Sequence, residues 1–158
     1  MALSDGDLAD ARDTWSRIIT DPRYWKPDGT MHNRAFTGKA IAPPLENRSW
    51  SHELSGRLLS LIASLKQESE DICQQKCRPF EGIMYRDVAG LCAMIDGDIK
   101  ADVRYTPIAD EDAAHSDFVT YHTVDAHLQS IRDFLQETVR ALRPANISQL
   151  DLLRVDLS

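Results

Sequence analysis

The most constraining feature of the sequence is the turn Asp96-Gly97-Asp98, which separates two segments rich in apolar residues. An Asp-Gly pair in this setting is typical of a tight hairpin turn, because its residues must adopt positive φ angles. Apolar and charged side chains then alternate along residues 99–106. This alternation predicts a strand with one packed face and one solvated face. We therefore predict a β-hairpin whose arms are residues 88–95 and 99–106.

The first arm of this hairpin, residues 88–95, is almost entirely apolar. An apolar run of this length is typical of a central strand that is covered on both faces. Helices should therefore flank it. Residues 117–123 have strand-forming composition and are expected to join the hairpin as an antiparallel meander.

Apolar residues at helical spacing predict three helices. The first begins at Ser4 or Asp5 and ends before Pro22, the second begins at Ser51, and the third is capped by Asp125 and ends before Pro144. The second is expected to break near Gln67 and to resume over 68–76. The defining apolar residues are Leu8, Ala11, Trp15, Ile18 and Ile19, then Leu54, Leu58, Leu61, Ile62 and Leu65, and finally Leu128, Ile131, Leu135, Val139 and Leu142.

Two further segments complete the predicted architecture. Residues 21–49 are rich in proline and glycine and should form a long loop with at most a short strand over 34–37. The tail at residues 153–157 alternates apolar and charged residues, which is typical of an edge strand. The prediction is one α+β domain over residues 1–158, with an antiparallel sheet of three to five strands packed against two to four helices.

Charge and composition narrow the classes of function. The chain has 18 basic and 25 acidic residues, a formal net charge of −7, so we expect no direct nucleic-acid partner. No segment approaches the roughly 20 apolar residues that cross a bilayer, and no export signal is recognised near Met1. Three cysteines are too few for a disulfide framework, which favours a reducing, cytoplasmic environment.

Two groups of side chains are candidates for a site. His115 and Asp117 share a face if they lie on a strand, and with His122, Asp125 and His127 they form a cluster suited to proton transfer. The second group lies in or after the long loop: His32 and Arg34 as weak catalytic candidates, and Arg48, Trp50 and His52 as ligand-binding candidates. In the alternative interpretation, the histidines and Asp125 are structural, and Trp25 and Trp50 only hold the loop on the core.

No metal or cofactor is expected. The spacing of the histidine cluster directs His122 away from His115, and no known ligand motif is present. Cys73 and Cys77 would share a face of a helix, but two sulfurs do not make a zinc site, and Cys92 lies in an apolar run. The cysteines are therefore interpreted as structural.

Two hypotheses of function follow from these patterns, since the usual catalytic motifs are absent. The first is a small acidic accessory protein of bacterial type that acts by self-association or by binding a protein partner, through Leu153, Val155 and Leu157. The second is a small enzyme or anion-binding protein, with a pocket of histidine, arginine and aspartate between the 32–52 loop and residues 115–127. The second requires those two segments to converge.

Overall fold

The computed structural model describes residues 2–154 and residue 157. Seven antiparallel strands form one curled sheet in the order β4-β5-β6-β2-β1-β3-β7. The strands are β1 Thr14–Ile19, β2 His52–Leu58, β3 Gly82–Asp87, β4 Ala93–Ile95, β5 Ile99–Tyr105, β6 His115–Thr120 and β7 Arg140–Leu142. The prediction of three to five strands is therefore wrong, because β1, β2 and β7 lie in segments expected to be helical and β3 lies where no strand was predicted.

The helices lie on opposite faces of this sheet. They are α1 Leu65–Lys76, α2 Val88–Leu91 and α3 Leu128–Thr138, with single 3-10 turns at Pro22–Tyr24, Asn33–Phe36, Leu59–Leu61 and Asp125–His127 and a longer 3-10 segment at Pro144–Leu153. Residues 21–49 contain two of these 3-10 turns. The short strand expected over 34–37 is instead the turn at Asn33–Phe36, where the His32 side chain accepts a hydrogen bond from the Arg34 N–H.

The predicted first helix is β1. Trp15 and Ile19 pack in the core beneath α3, whereas Ile18 packs in a second core on the other face of the sheet. A strand buried on both faces has apolar residues at nearly every position, and such a run also satisfies a helical spacing. This segment is a strand and not a helix because β1 pairs with both β2 and β3.

The predicted second helix is β2, a 3-10 turn and then α1. Leu54 and Leu58 are four residues apart, which places them on one face of either a helix or a strand. Gly56 lies between them where a Cβ atom would be 2.4 Å from the Trp15 ring, so the close approach of β1 to β2 requires glycine. Only the helix-compatible segment after Leu65 is helical, and it ends at Cys77 with a left-handed C-cap.

The Asp96-Gly97 turn and the second arm of the hairpin are confirmed, with Ile95 paired to Ile99. The first arm is wrong as a central strand. The Asp87 side chain accepts a hydrogen bond from the Gly90 N–H and starts the single turn of α2, so only Ala93–Ile95 remain as a short strand at the sheet edge.

The last predicted helix and strand also need correction at their ends. The third predicted strand is β6, which pairs with β5 as a meander but ends at Thr120. At its start, α3 is preceded by a 3-10 turn in which the His127 side chain, not that of Asp125, accepts a hydrogen bond from the Val124 N–H. At its other end, α3 stops at Thr138, because the following residues pair with β3 as β7. Leu153 ends a 3-10 segment rather than an edge strand, and Val155 lies outside the described residues.

The two faces of the sheet are covered unequally. α3 and the 21–49 loop cover one face, where Trp15, Leu54 and Phe118 are fully buried. On the other face, α1 and the 3-10 segment Pro144–Leu153 cover β1 and β3 through Ile72 and Leu150. Over β2 and β6 this second face is polar instead, and it carries the residues Glu53, Ser55, Arg57, His115 and Asp117, here called the polar face.

Candidate functional site

Strand register brings the polar face together. In the β2–β6 pair, Ser55 lies opposite Asp117 and Arg57 lies opposite His115. Directly opposed residues point to the same side of a sheet, and every second residue along a strand does so too. Side chains from segments about 60 residues apart in the sequence therefore share one surface, with His115 beside both Ser55 and Asp117.

The hydrogen bonds of His115 fix its tautomer. Its Nδ1 lies 2.8 Å from the backbone carbonyl oxygen of Thr106, which can only accept, so Nδ1 must carry a proton. In the neutral imidazole, Nε2 is then an acceptor, and it lies 2.8 Å from Ser55 Oγ. The Ser55 hydroxyl therefore donates to His115 Nε2, the arrangement in which a histidine removes the proton of a serine nucleophile.

A small cavity of about 180 Å³ opens beside this pair and is lined by basic side chains. An Arg17 terminal nitrogen donates to the Ser55 carbonyl oxygen at 2.6 Å, and Lys76 extends from the end of α1. Arg57 is neutralised, since it lies 3.0 Å from Glu68 and 2.6 Å from Asp112. In the part of the chain that the structure describes, no carboxylate lies within 4.0 Å of the cationic groups of Arg17 or Lys76.

Arg17 and Lys76 lie in surroundings that disfavour their charged forms. Burial, together with repulsion from Arg57, lowers the pKa of the Arg17 guanidinium. Partial burial lowers the pKa of Lys76, and the charges of Arg17 and Arg57 lower it further. An anion in this cavity would relieve both effects.

A larger cavity of about 440 Å³ lies on the other side of His115 and is lined by Glu53, Asp117 and Arg48. Asp117 is 2% exposed; its Oδ2 accepts from the Thr106 hydroxyl at 2.7 Å, whereas its Oδ1 is buried with no hydrogen-bond partner. Burial raises the pKa of Asp117, and burial also raises that of Glu53. The two cavities thus have opposite charge, basic beside Ser55 and acidic beside Asp117.

The structure brings some of the predicted site residues together. His115, Asp117 and Arg48 line the larger cavity, and Trp50 supports it by donating to Glu53 at 2.9 Å while its ring contacts Arg48. Arg48 is the residue of the loop that shares this cavity with His115 and Asp117, but its own ion pairs are with Asp5 and Glu46.

The remaining candidates lie elsewhere. His32 and Arg34 form the turn at Asn33–Phe36, and His52 points into the opposite face of the sheet, where its Nδ1 lies 2.7 Å from Thr123 Oγ1. Leu153 is 44% exposed, and Leu157 is described but lies in no helix or strand.

Ser55, Arg17, Arg57, Lys76 and Glu53 were missed by sequence reasoning. The signal was present, since residues 53–58 alternate between polar and apolar side chains except at Gly56. Interpreted as a strand, this pattern places Glu53, Ser55 and Arg57 on one face, whereas a helix would turn Ser55 away from the other two.

The described residues contain neither a metal-binding cluster nor a helix that could span a membrane. Within residues 2–154, no group of three His, Cys, Asp or Glu side chains is arranged to hold a metal ion. Cys73 is buried, whereas Cys77 and Cys92 are exposed, and all three are free thiols. No helix in the described part of the chain is both long and apolar enough to cross a membrane.

Comparisons with known proteins give no relative from which these roles could be transferred. No protein-family model matches the chain, and comparisons with curated proteins and with solved structures find no significant match. The chemistry of the site must therefore be argued from its own geometry.

Proposed function

We propose that this protein is a small hydrolase or acyltransferase in which Ser55 is the nucleophile and His115 is its general base. The observation that carries the proposal is the pair of hydrogen bonds on His115, from Ser55 Oγ to Nε2 and from Nδ1 to the Thr106 carbonyl. The carbonyl takes the orienting place that a carboxylate has in Ser-His-Asp triads. This develops the hypothesis of a small enzyme whose pocket contains histidine, arginine and aspartate.

The proposed reaction begins when Ser55 Oγ attacks the carbonyl carbon of an ester or amide and passes its proton to His115 Nε2. Negative charge develops on the carbonyl oxygen, and Arg17 and Lys76 supply the nearby positive charge that stabilises it. His115 then gives the proton to the leaving group. In the second half, a water molecule attacks the acyl-serine, His115 accepts the proton of that water, and the proton returns to Ser55 Oγ as the acid departs.

A fluorophosphonate probe tests the nucleophile without knowledge of the substrate. Ser55 Oγ should attack phosphorus and expel fluoride, giving a covalent adduct that intact-protein mass spectrometry detects and peptide mapping places at Ser55. The Ser55→Ala variant should not be labelled, and His115→Asn should be labelled about 100-fold more slowly. Ser148→Ala is the matched control, because Ser148 is exposed on the Pro144–Leu153 segment, and its labelling should be unchanged.

The basic cavity is tested with the same probe. Arg17→Met keeps an unbranched apolar stem but removes the charge, and Lys76→Gln removes the charge at the end of α1 while keeping a polar side chain. Each should slow labelling about 10-fold or more, since both remove charge that stabilises the developing oxyanion. Lys66→Gln is the control, because Lys66 is exposed near the start of the same helix. Absence of any labelling at Ser55 in the folded protein would contradict the proposal.

A second candidate function is self-association or binding of a protein partner through the C-terminal residues. Leu152 and Leu153 favour it, because they are 86% and 44% exposed at neighbouring positions. A Leu152→Ser, Leu153→Ser double variant leaves the buried Leu150 in place. Sedimentation should then show a smaller mass than for the unchanged protein if the proposal holds, and equal masses would contradict self-association.

The cytoplasm is the proposed location, because the free thiols suit a reducing compartment.

A further inference from the structure

We infer that the larger cavity beside His115 is a subsite for a protonated amine, so that the substrate is an ester or amide bearing an ammonium group. The inference rests on the proposed function, because it assigns the substrate that Ser55 would attack. Its main support is Asp117, which lines this cavity and whose Oδ1 is buried with no hydrogen-bond partner. A buried carboxylate oxygen without a donor is costly, and a ligand that donates to it would remove the cost.

The charge of the cavity selects a cation rather than an anion. Four carboxylates line it, from Asp5, Glu46, Glu53 and Asp117, against the single guanidinium of Arg48. Arg48 is already engaged, since it lies 2.9 Å from Asp5 and 3.3 Å from Glu46 and stacks on the Trp50 ring. Its charge lowers the pKa of both inner carboxylates, Asp117 and Glu53, but burial outweighs this effect and raises both pKa values.

The shape of the site fits a substrate with an ammonium group at one end and a reacting carbonyl group at the other. The ammonium group requires nearby negative charge, and the carbonyl oxygen requires nearby positive charge. His115 lines both cavities, so a ligand in the larger cavity lies next to the Ser55–His115 pair. Pro44, Leu45, Pro107 and Ile108 give the larger cavity apolar walls. Aliphatic carbons between the ammonium and the reacting carbonyl would contact these walls, while the carbonyl oxygen faces Arg17 and Lys76.

Boronic acids provide a matched pair of probes, because they form a reversible bond between boron and a nucleophilic serine oxygen. Propylboronic acid and 3-aminopropylboronic acid differ only in the terminal ammonium, and the aminoethyl and aminobutyl homologues vary its reach. Affinity is measured by protection of Ser55 from the fluorophosphonate. At least one amino compound should bind about 10-fold more tightly than its alkyl analogue, as expected for a buried charged hydrogen bond.

The advantage of the ammonium should disappear in Asp117→Asn, while affinity for propylboronic acid stays within about threefold. Glu53→Gln gives a second test if Asp117→Asn does not fold, and it should reduce the advantage in the same direction. Asp110→Asn is the control, because Asp110 is an exposed carboxylate on the neighbouring loop and asparagine tolerates its positive φ of 61°. This variant should keep the full advantage.

The possible failures are distinguishable. If Ser55 is labelled and both classes of boronate bind equally at every chain length, the subsite inference is overturned and the nucleophile stands. The subsite inference is also overturned if the amino boronates still bind more tightly than their alkyl analogues in both Asp117→Asn and Glu53→Gln. If Ser55 is never labelled, the proposed function itself fails, and the subsite inference, which rests on it, fails with it.

Discussion

The two faces of strands β2 and β6 differ sharply although the same two strands build both. On the face beneath α3, Leu54 and Phe118 are fully buried in a core of apolar side chains. On the polar face, the neighbouring residues Ser55 and Asp117 keep hydroxyl and carboxyl groups partly or wholly out of water. Buried polar groups of this kind do not increase stability unless they are fully paired, so their presence points to a functional requirement.

A second comparison lies within the polar residues of the sheet. The Tyr121 hydroxyl joins Asp102 and Arg104, with contacts of 2.9 and 2.8 Å, and both carboxylate oxygens of Asp102 have a partner. At Asp117, one of the two oxygens is left without one. A complete network stabilises a fold, whereas an incomplete one marks a place where a ligand can add the missing contact.

The largest expected effect belongs to the apolar face. Leu54→Ala removes a fully buried side chain, so the free energy of unfolding should fall by about 2–5 kcal/mol. Urea denaturation followed by circular dichroism measures this. A loss below about 1 kcal/mol would mean that this face is not the main core.

Tyr121→Phe tests the complete network and should have the next largest effect. It leaves Asp102, which is 5% exposed, without its hydroxyl donor, and the free energy of unfolding should fall by about 1–3 kcal/mol. Burial and the neighbouring carboxylate raise the pKa of Tyr121 to about 12, so its hydroxyl remains a donor at neutral pH. The same denaturation experiment measures the loss, and an unchanged stability would contradict the structural role.

Asp117→Asn should act in the opposite direction and stabilise the protein at pH 7 by about 1 kcal/mol, because it removes a buried charge. The sign follows from the raised pKa of Asp117. The folded state holds the proton more tightly, so the stability that the native carboxyl contributes is complete below its unfolded pKa and is lost as the pH rises through the folded pKa. The gain from asparagine should therefore disappear below about pH 4. A destabilised Asp117→Asn protein at pH 7 would contradict this.

Ser55→Ala should have the smallest effect on stability, within about 0.5 kcal/mol, because Ser55 is only partly buried and its loss leaves no charge unpaired. The substitution is adjacent to Leu54→Ala in the chain, which makes the two a matched pair. A large loss at Ser55 would show that the polar face is structural and would remove the contrast between the faces.

Local signals in the sequence were sufficient where one short segment determines its own structure. The Asp96-Gly97 turn, the alternation of residues 99–105 and the helical spacing of 128–135 were all predicted correctly. The errors at Trp15 and Leu54 share one cause. Apolar residues three or four apart fit a helix, and they also fit a strand when both of its faces are buried or when the spacing is even.

The sequence by itself determined the apolar and polar positions of this protein, its turns, and the chemical types available for a site. Tertiary structure alone decided that residues 52–58 are a strand, because pairing with β1 and β6 satisfies backbone groups that an isolated helix would satisfy locally. That pairing set the register that places Ser55 beside His115. No spacing along the chain encodes a contact between residues 60 positions apart, so the candidate site exists only in the folded sheet.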